Sequence, residues 1–142
     1  MAYEITFNRK ACERCGGTGT YHVANFGPYG GSEARSCYGC SGRGWNLLPT
    51  GRKARVAFLA ERERLAAIAI DEIRIGDKVL IDGKWRLVST TGENSVTYGG
   101  GQCHHSFQPG TRLITAARLH AAWADLVAFA RGLKGATVKE VA

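Results

Sequence analysis

Two copies of one eight-residue pattern constrain this chain more than any other feature of its sequence. The octets Cys12–Gly19 and Cys37–Gly44 both fit CxxCxGxG. Two residues between cysteines allow one tight turn to direct both sulfurs at a single ion, and the following glycine permits the positive φ at which backbone N–H groups face the thiolates. Two such turns form a closed tetrahedral site, which predicts one structural zinc ion. Its predicted ligands are Cys12, Cys15, Cys37 and Cys40.

The alternatives for these cysteines are a disulfide pair or a redox-active CxxC. A dithiol active site needs one exposed cysteine of low pKa, usually at a helix N-terminus, and glycine-rich flanks do not predict a helix. The first residues, Met1 to Phe7, have neither the basic nor the apolar region of a secretory signal. No apolar run approaches the roughly 20 residues of a membrane span. A cytoplasmic protein with reduced cysteines is therefore expected.

The octets resemble the cysteine-rich zinc repeats of DnaJ-type co-chaperones. The resemblance covers Cys12 to Gly44 and implies the zinc-ligand role for the four octet cysteines alone. DnaJ proteins carry four repeats and two zinc ions, whereas this chain has two repeats and lacks the His-Pro-Asp tripeptide of a J-domain. Similar knuckles occur in DNA-repair and transcription-related proteins. The resemblance thus implies zinc binding rather than stimulation of an Hsp70-type ATPase.

The patterning along the chain predicts an α+β protein with three zones. Residues 1–46 would form the zinc-binding module, with a short strand at Tyr3–Phe7, and residues 47–71 a basic connecting helix, since Ala, Leu, Arg and Glu dominate there. Residues 72–142 would form a small β-barrel with a C-terminal helix. The helix is expected from Ala116 to Arg131, and the residues from Lys134 are expected to fray.

The barrel is inferred from short strands separated by turn signals. Asp82-Gly83 predicts a two-residue hairpin, Gly92-Glu93-Asn94 a second turn, and Ser95–Tyr98 a third strand. Four or five short strands cannot bury both faces of a flat sheet, so closure into a barrel is expected. The segment Ile75–Val79 resembles the opening segment of SH3-like barrels. The whole arrangement resembles accessory proteins of phages and mobile elements.

Positive charge and aromatic rings point to the class of partner. The formal charge is +7, and four thiolates with one Zn²⁺ leave about +5, because metal ligands must be deprotonated. Arginine interleaved with aromatic residues suits single-stranded nucleic acid, in which phosphates pair with guanidinium and bases stack. The predicted phosphate contacts are Arg14, Arg35, Arg43, Arg52, Lys53 and Arg55, and the predicted stacking residues are Tyr21, Tyr38 and Trp45.

Other interpretations remain open for the same residues. The basic stripe could be a solvated linker, and the aromatic residues could cover the knuckles as a minimal core. The aromatic residues, with Phe26 and Tyr29 between the octets, also suit an extended peptide. The alternative function is therefore a protein-binding adaptor or a DnaJ-like chaperone module.

Catalysis is not expected, because the sequence contains no HExxH, GxSxG or phosphate-loop motif. No small-molecule substrate and no membrane partner are predicted. A thiol-disulfide oxidoreductase is the weakest hypothesis. His22 is expected at the surface, and a second metal site at Cys103-His104-His105 would need a further ligand such as His120. The leading hypothesis is a non-enzymatic zinc-binding accessory protein that binds nucleic acid.

Overall fold

The computed structural model describes residues 2–24 and 32–141, and its mixture of helices and antiparallel strands confirms the α+β class. The chain forms two compact units. The cysteine unit comprises residues 1–55 and 133–142, and the sheet unit comprises residues 56–132. The elements are β1 Ala2–Phe7, β2 Arg9–Ala11, β3 Thr20–Ala24, β4 Ser32–Ser36, β5 Trp45–Leu47, α1 Pro49–Ala66, β6 Ala67–Ala69, β7 Lys78–Ile81, β8 Lys84–Gly92, β9 Ser95–Tyr98, β10 Cys103–Ser106, β11 Arg112–Ile114, α2 Ala116–Arg131 and β12 Ala136–Val141.

The C-terminal residues form a strand, so the expectation that they fray was wrong. Strand β12 pairs antiparallel with β1 along its whole length, from Ala2 opposite Val141 to Phe7 opposite Ala136. The predicted strand at the N-terminus is confirmed, and it supplies the backbone partners that the terminal segment needs. Pairing between opposite ends of the chain leaves no local signal such as a turn.

Two short antiparallel pairs flank the octets. Strand β2 precedes the first octet and pairs with β5, which follows the second. Strand β3 follows the first octet and pairs with β4, which precedes the second. The ladders place Ala11 opposite Trp45 and Thr20 opposite Ser36. Each octet is therefore held at both ends by the strands of the other.

Helix α1 begins at Pro49, where a fixed φ and a missing N–H suit the first turn. The predicted helical zone was too long at its C-terminal end. Residues Ala67–Ala69 leave the helix and form β6, which pairs with β11. No described helix is both long and apolar enough to cross a membrane.

The sheet unit contains an open antiparallel meander in the order β10-β9-β8-β7, and the described residues contain no closed barrel. The prediction of a closed barrel was therefore wrong. The hairpin predicted at Asp82-Gly83 is confirmed, with φ of 50° and 73° at the two turn residues. Closure is unnecessary because other segments cover one face of the sheet. The buried cluster on that face consists of Ile70, Ile73, Val79, Ile81, Val88, Val96 and Leu113.

Helix α2 has the bounds that the sequence predicted. Thr115 caps its N-terminus, because the side-chain hydroxyl accepts a hydrogen bond from the Arg118 N–H at 3.3 Å. Gly132 is the C-terminal cap residue. One stripe of the helix is buried, comprising Ala122, Leu126, Val127 and Ala130.

Candidate metal centre

The four octet cysteines converge on one point. Their sulfur atoms all lie within 4.8 Å of one another. The Sγ atoms of Cys12 and Cys37 are 3.9 Å apart, and those of Cys15 and Cys40 are 3.8 Å apart. At the usual Zn–S distance of about 2.3 Å, two sulfurs of a tetrahedral site lie about 3.8 Å apart. The four side chains are therefore close enough to hold one metal ion.

The octets form this site as two equivalent halves whose matching residues are 25 positions apart. The Cys12 N–H donates to the Gly44 carbonyl at 2.9 Å, and the Cys37 N–H donates to the Gly19 carbonyl at 2.9 Å. Each octet thus begins on the last glycine of the other. Exchanging the two halves leaves this pattern, and the strand pairs beside it, unchanged. The repeat in the sequence is an approximate twofold axis in the structure.

The last glycine of each octet donates a hydrogen bond to a cysteine sulfur from a backbone position where no side chain would fit. The Gly19 N–H donates to the Cys15 sulfur at 3.2 Å, and the Gly44 N–H donates to the Cys40 sulfur at 3.1 Å. Both glycines have positive φ, 80° and 83°. A Cβ at Gly19 would collide with the Gly42 carbonyl oxygen, and one at Gly44 would lie 2.5 Å from the Gly17 carbonyl oxygen. These N–H donors to sulfur are the geometry that the octet pattern predicts.

The electrostatics of the cluster are uneven. Burial raises the pKa of the Cys37 thiol to about 11. Burial also raises the pKa of Cys15, but the N–H groups of Gly19 and Gly17, together with the Cys40 and Cys12 thiols, outweigh it and lower that pKa to about 6. The surrounding groups together therefore lower the pKa of Cys15 and favour its thiolate, whereas burial outweighs the backbone hydrogen bond at Cys37 and favours its thiol. A cation at the centre would allow all four cysteines to be thiolates.

Arg14 lies over an aromatic pair at the tips of the two knuckles. Its guanidinium is 3.5 Å from the centre of the Tyr38 ring and 5.4 Å from that of Tyr21. The two rings meet edge to face with centroids 6.0 Å apart. Tyr38 remains 68% exposed, so this cluster lies at the surface. A side chain at Gly39 would meet the Arg14 side chain at 3.2 Å, which shows how closely Arg14 crosses the second knuckle.

A second cluster forms around Trp45. The Arg9 guanidinium lies 4.7 Å from the indole centre and the Arg43 guanidinium lies 4.9 Å from it. The Arg43 Nε also donates to the Cys40 carbonyl at 3.0 Å, which anchors this side chain to the knuckle. Arg9 was missed by sequence reasoning, because only the pairing of β2 with β5 brings it to Trp45.

The remaining predicted contact residues lie in the same unit. Arg35 is exposed on β4, opposite Tyr21 in the ladder. Arg52, Lys53 and Arg55 are exposed on the first turns of α1. Phe26 and Tyr29, which the peptide-binding alternative needs, lie outside the described residues.

Positive charge is concentrated in the cysteine unit. This unit has ten Lys and Arg residues against four Asp and Glu residues, whereas the sheet unit has nine against eight. The formal excess is therefore +6 in one unit and +1 in the other. An anionic partner would be attracted mainly to the unit that contains the cysteine cluster.

A second metal site does not form among the residues that the structure describes, where the four octet cysteines are the only group of three or more His, Cys, Asp or Glu side chains that could hold an ion. His22 is exposed, as predicted. Cys103, His104 and His105 lie on β10, and the His105 ring packs on Phe107 with centroids 4.4 Å apart.

Comparisons of this chain with protein-family models, with curated proteins and with solved structures found no match. The class that the fold and the cluster define is an α+β protein with four cysteines placed close enough to hold one metal ion.

Proposed function

We propose that this chain is a non-enzymatic zinc protein whose cysteine unit binds nucleic acid. Zn²⁺ is the ion that suits four thiolates in a closed tetrahedral shell. A closed shell leaves no position for water or substrate, so the ion has a structural role. The fit of the sulfur–sulfur distances, 3.8 and 3.9 Å for two pairs, supports this part of the proposal.

The observation that supports nucleic-acid binding is the stacking of arginines on aromatic rings beside the cysteine cluster. Arg14 lies on Tyr38, and Arg9 and Arg43 lie at Trp45. A guanidinium stacked on a ring directs its N–H edge sideways, where it can pair with two phosphate oxygens. The aromatic rings therefore hold the arginines in place and reduce the conformational entropy lost on binding.

This arrangement changes the role predicted for Trp45. Two guanidinium groups already lie within 5 Å of its ring centre, so a base that stacked there would have to displace one of them. We assign Trp45 the role of holding Arg9 and Arg43, and we assign phosphate contacts to the arginines. Arg52, Lys53 and Arg55 are exposed on α1 in the same unit, and we assign them further phosphate contacts.

The test is fluorescence anisotropy of the zinc-loaded protein with labelled single-stranded DNA, duplex DNA and RNA over a salt series. Several phosphate contacts would weaken binding by orders of magnitude between about 50 and 200 mM salt. The double variant Arg52→Glu/Lys53→Glu should weaken binding and lower the salt slope by about 1.4 on a single strand. The matched control is Arg74→Glu/Arg118→Glu, which makes the same charge change on exposed residues of the sheet unit.

Equal weakening by the test and control variants would mean that net charge, and not this surface, determines binding. Unchanged affinity of the test variant, with zinc retained, would contradict the proposal. The polypeptide-binding alternative predicts affinity that is insensitive to salt.

A further inference from the structure

The sheet unit contains an open pocket lined by aromatic rings. Its volume is about 380 Å³. Two of the three tryptophans of the chain contribute to it, and none of its lining side chains is acidic. The lining residues are Trp85, Ala116, Leu119, His120 and Trp123.

The two elements that build the pocket are held by the core beneath it. Residues 116, 119, 120 and 123 form one stripe of α2, at the spacing of a single helical face. Trp85 lies on β8 directly opposite Leu80 of β7. Leu80 and Leu119 both pack against the buried cluster of Ala66, Ala67 and Ile114.

The chemistry of the lining favours a flat ring over an aliphatic side chain. Two indoles and an imidazole are aromatic, and an indole face binds another π system by stacking. Trp85 is 44% exposed although it is large and apolar, so the fold itself does not use that ring face. Apart from the two indole N–H groups, His120 is the one lining side chain that can form hydrogen bonds, which leaves little capacity to distinguish one base from another.

Charge beside the pocket favours a ring that carries a phosphate. Lys78 is exposed on β7, two residues from Leu80, and therefore on the same sheet face as Trp85. A nucleotide combines a flat ring with an anionic group, whereas an apolar peptide side chain gains nothing from a cation on the same sheet face.

We propose that this pocket is a base-stacking subsite for one nucleotide of a single strand. This inference rests on the proposed function and adds to it a preference for single strands over duplexes. A base in a duplex is already stacked and paired, so entry into the pocket requires single-stranded substrate. The sheet unit would thus discriminate between strand states, while the basic cysteine unit supplies most of the phosphate contacts.

The experiment compares Trp85→Ala and Trp123→Ala with wild type for binding to labelled oligothymidylate and to a duplex. Each variant should weaken binding to the single strand about tenfold, because stacking on one ring is lost. The salt slope and the duplex affinity should stay as in wild type, since no phosphate contact is removed. Leu87→Ala is the control, because Leu87 is 55% exposed on the same strand and face but does not line the pocket.

Trp85→Phe keeps a stacking ring and should restore most of the single-strand affinity, which separates stacking from loss of folding. Wild-type affinity of both alanine variants for the single strand would overturn the subsite and leave the proposed function intact, provided that Arg52→Glu/Lys53→Glu still weakens binding. Equal loss on single strand and duplex would also overturn it. Absence of binding by wild type at low salt would overturn both proposals.

Discussion

The two units of this protein are stabilised by different interactions. In the sheet unit, fifteen described hydrophobic residues are buried, and Leu126, Val79, Val88 and Val96 are among the most completely enclosed. In the described part of the cysteine unit, the buried hydrophobic residues are Cys12, Cys37, Cys40 and Ala54. Burial of aliphatic side chains stabilises the sheet unit, whereas the described residues of the cysteine unit form no comparable aliphatic core.

This difference explains how the cysteine unit can carry its charge and its exposed rings. A metal ion supplies folding free energy at a single point, so the surrounding surface need not be apolar. Arginines and aromatic residues can then occupy surface positions, as Arg14 and Tyr38 do. The sheet unit uses its apolar residues for a core and has almost no excess charge. The unit with the smaller described core is therefore the one to which we assign most of the nucleic-acid contacts.

Metal removal should have the largest effect and should act on one unit alone. We expect Cys37→Ser, or chelation of the wild-type ion, to unfold the cysteine unit, because metal binding contributes roughly 10–16 kcal/mol in small zinc peptides. Amide hydrogen exchange would show lost protection in β2 to β5 and retained protection in β7 to β9. Cys103→Ser is the control, since Cys103 is exposed and outside the cluster. Loss of protection throughout both units would contradict the conclusion that the two units are stabilised by different interactions.

A cavity in the sheet unit should destabilise that unit and leave the cysteine unit folded. Leu126 is fully buried in α2, and Leu126→Ala should lower the free energy of unfolding of the sheet unit by about 3 kcal/mol. Zinc stoichiometry, measured by native mass spectrometry, should remain one ion per chain. The exposed Leu87→Ala should change stability by less than about 0.5 kcal/mol. Zinc loss from Leu126→Ala would show that the units do not fold independently.

Local patterns in the sequence predicted those features that local geometry determines. The octets predicted the cysteine cluster because a CxxC turn and its glycines form within a few residues. Asp82-Gly83 predicted its hairpin because both positions need positive φ. The bounds of helix α2 were predicted because apolar spacing is a local property of the sequence.

Features that depend on distant segments were missed. The pairing of β1 with β12 joins the ends of the described chain, and no turn signal marks it. The prediction of a closed barrel was wrong because Ile70, Ile73 and Leu113, which lie outside the four strands, cover one face of the sheet. Trp123 lies on α2 and lines an open pocket with Trp85, which the spacing of residues along the helix does not predict. Only the arrangement of β8 against α2 shows which side of the helix the core uses.

The smallest expected effect is a change in affinity for DNA. It tests whether binding depends on the charge of the cysteine unit or on the net charge of the whole molecule. The Lys10 Nζ lies 3.3 Å from Glu13 Oε1, and both side chains are largely exposed, at 55% and 86%. Glu13→Gln should therefore change stability by less than about 0.5 kcal/mol, because an exposed ion pair is screened by water and salt.

The same substitution removes one of the four acidic residues of the cysteine unit. Affinity for single-stranded DNA should then rise at low salt, by less than about tenfold, and the gain should vanish at high salt. Glu63→Gln makes the same charge change at an exposed position of α1 in the sheet unit and should raise affinity less. If both variants raise affinity equally in the anisotropy assay, binding responds to the charge of the whole molecule, and the division of roles between the two units is wrong.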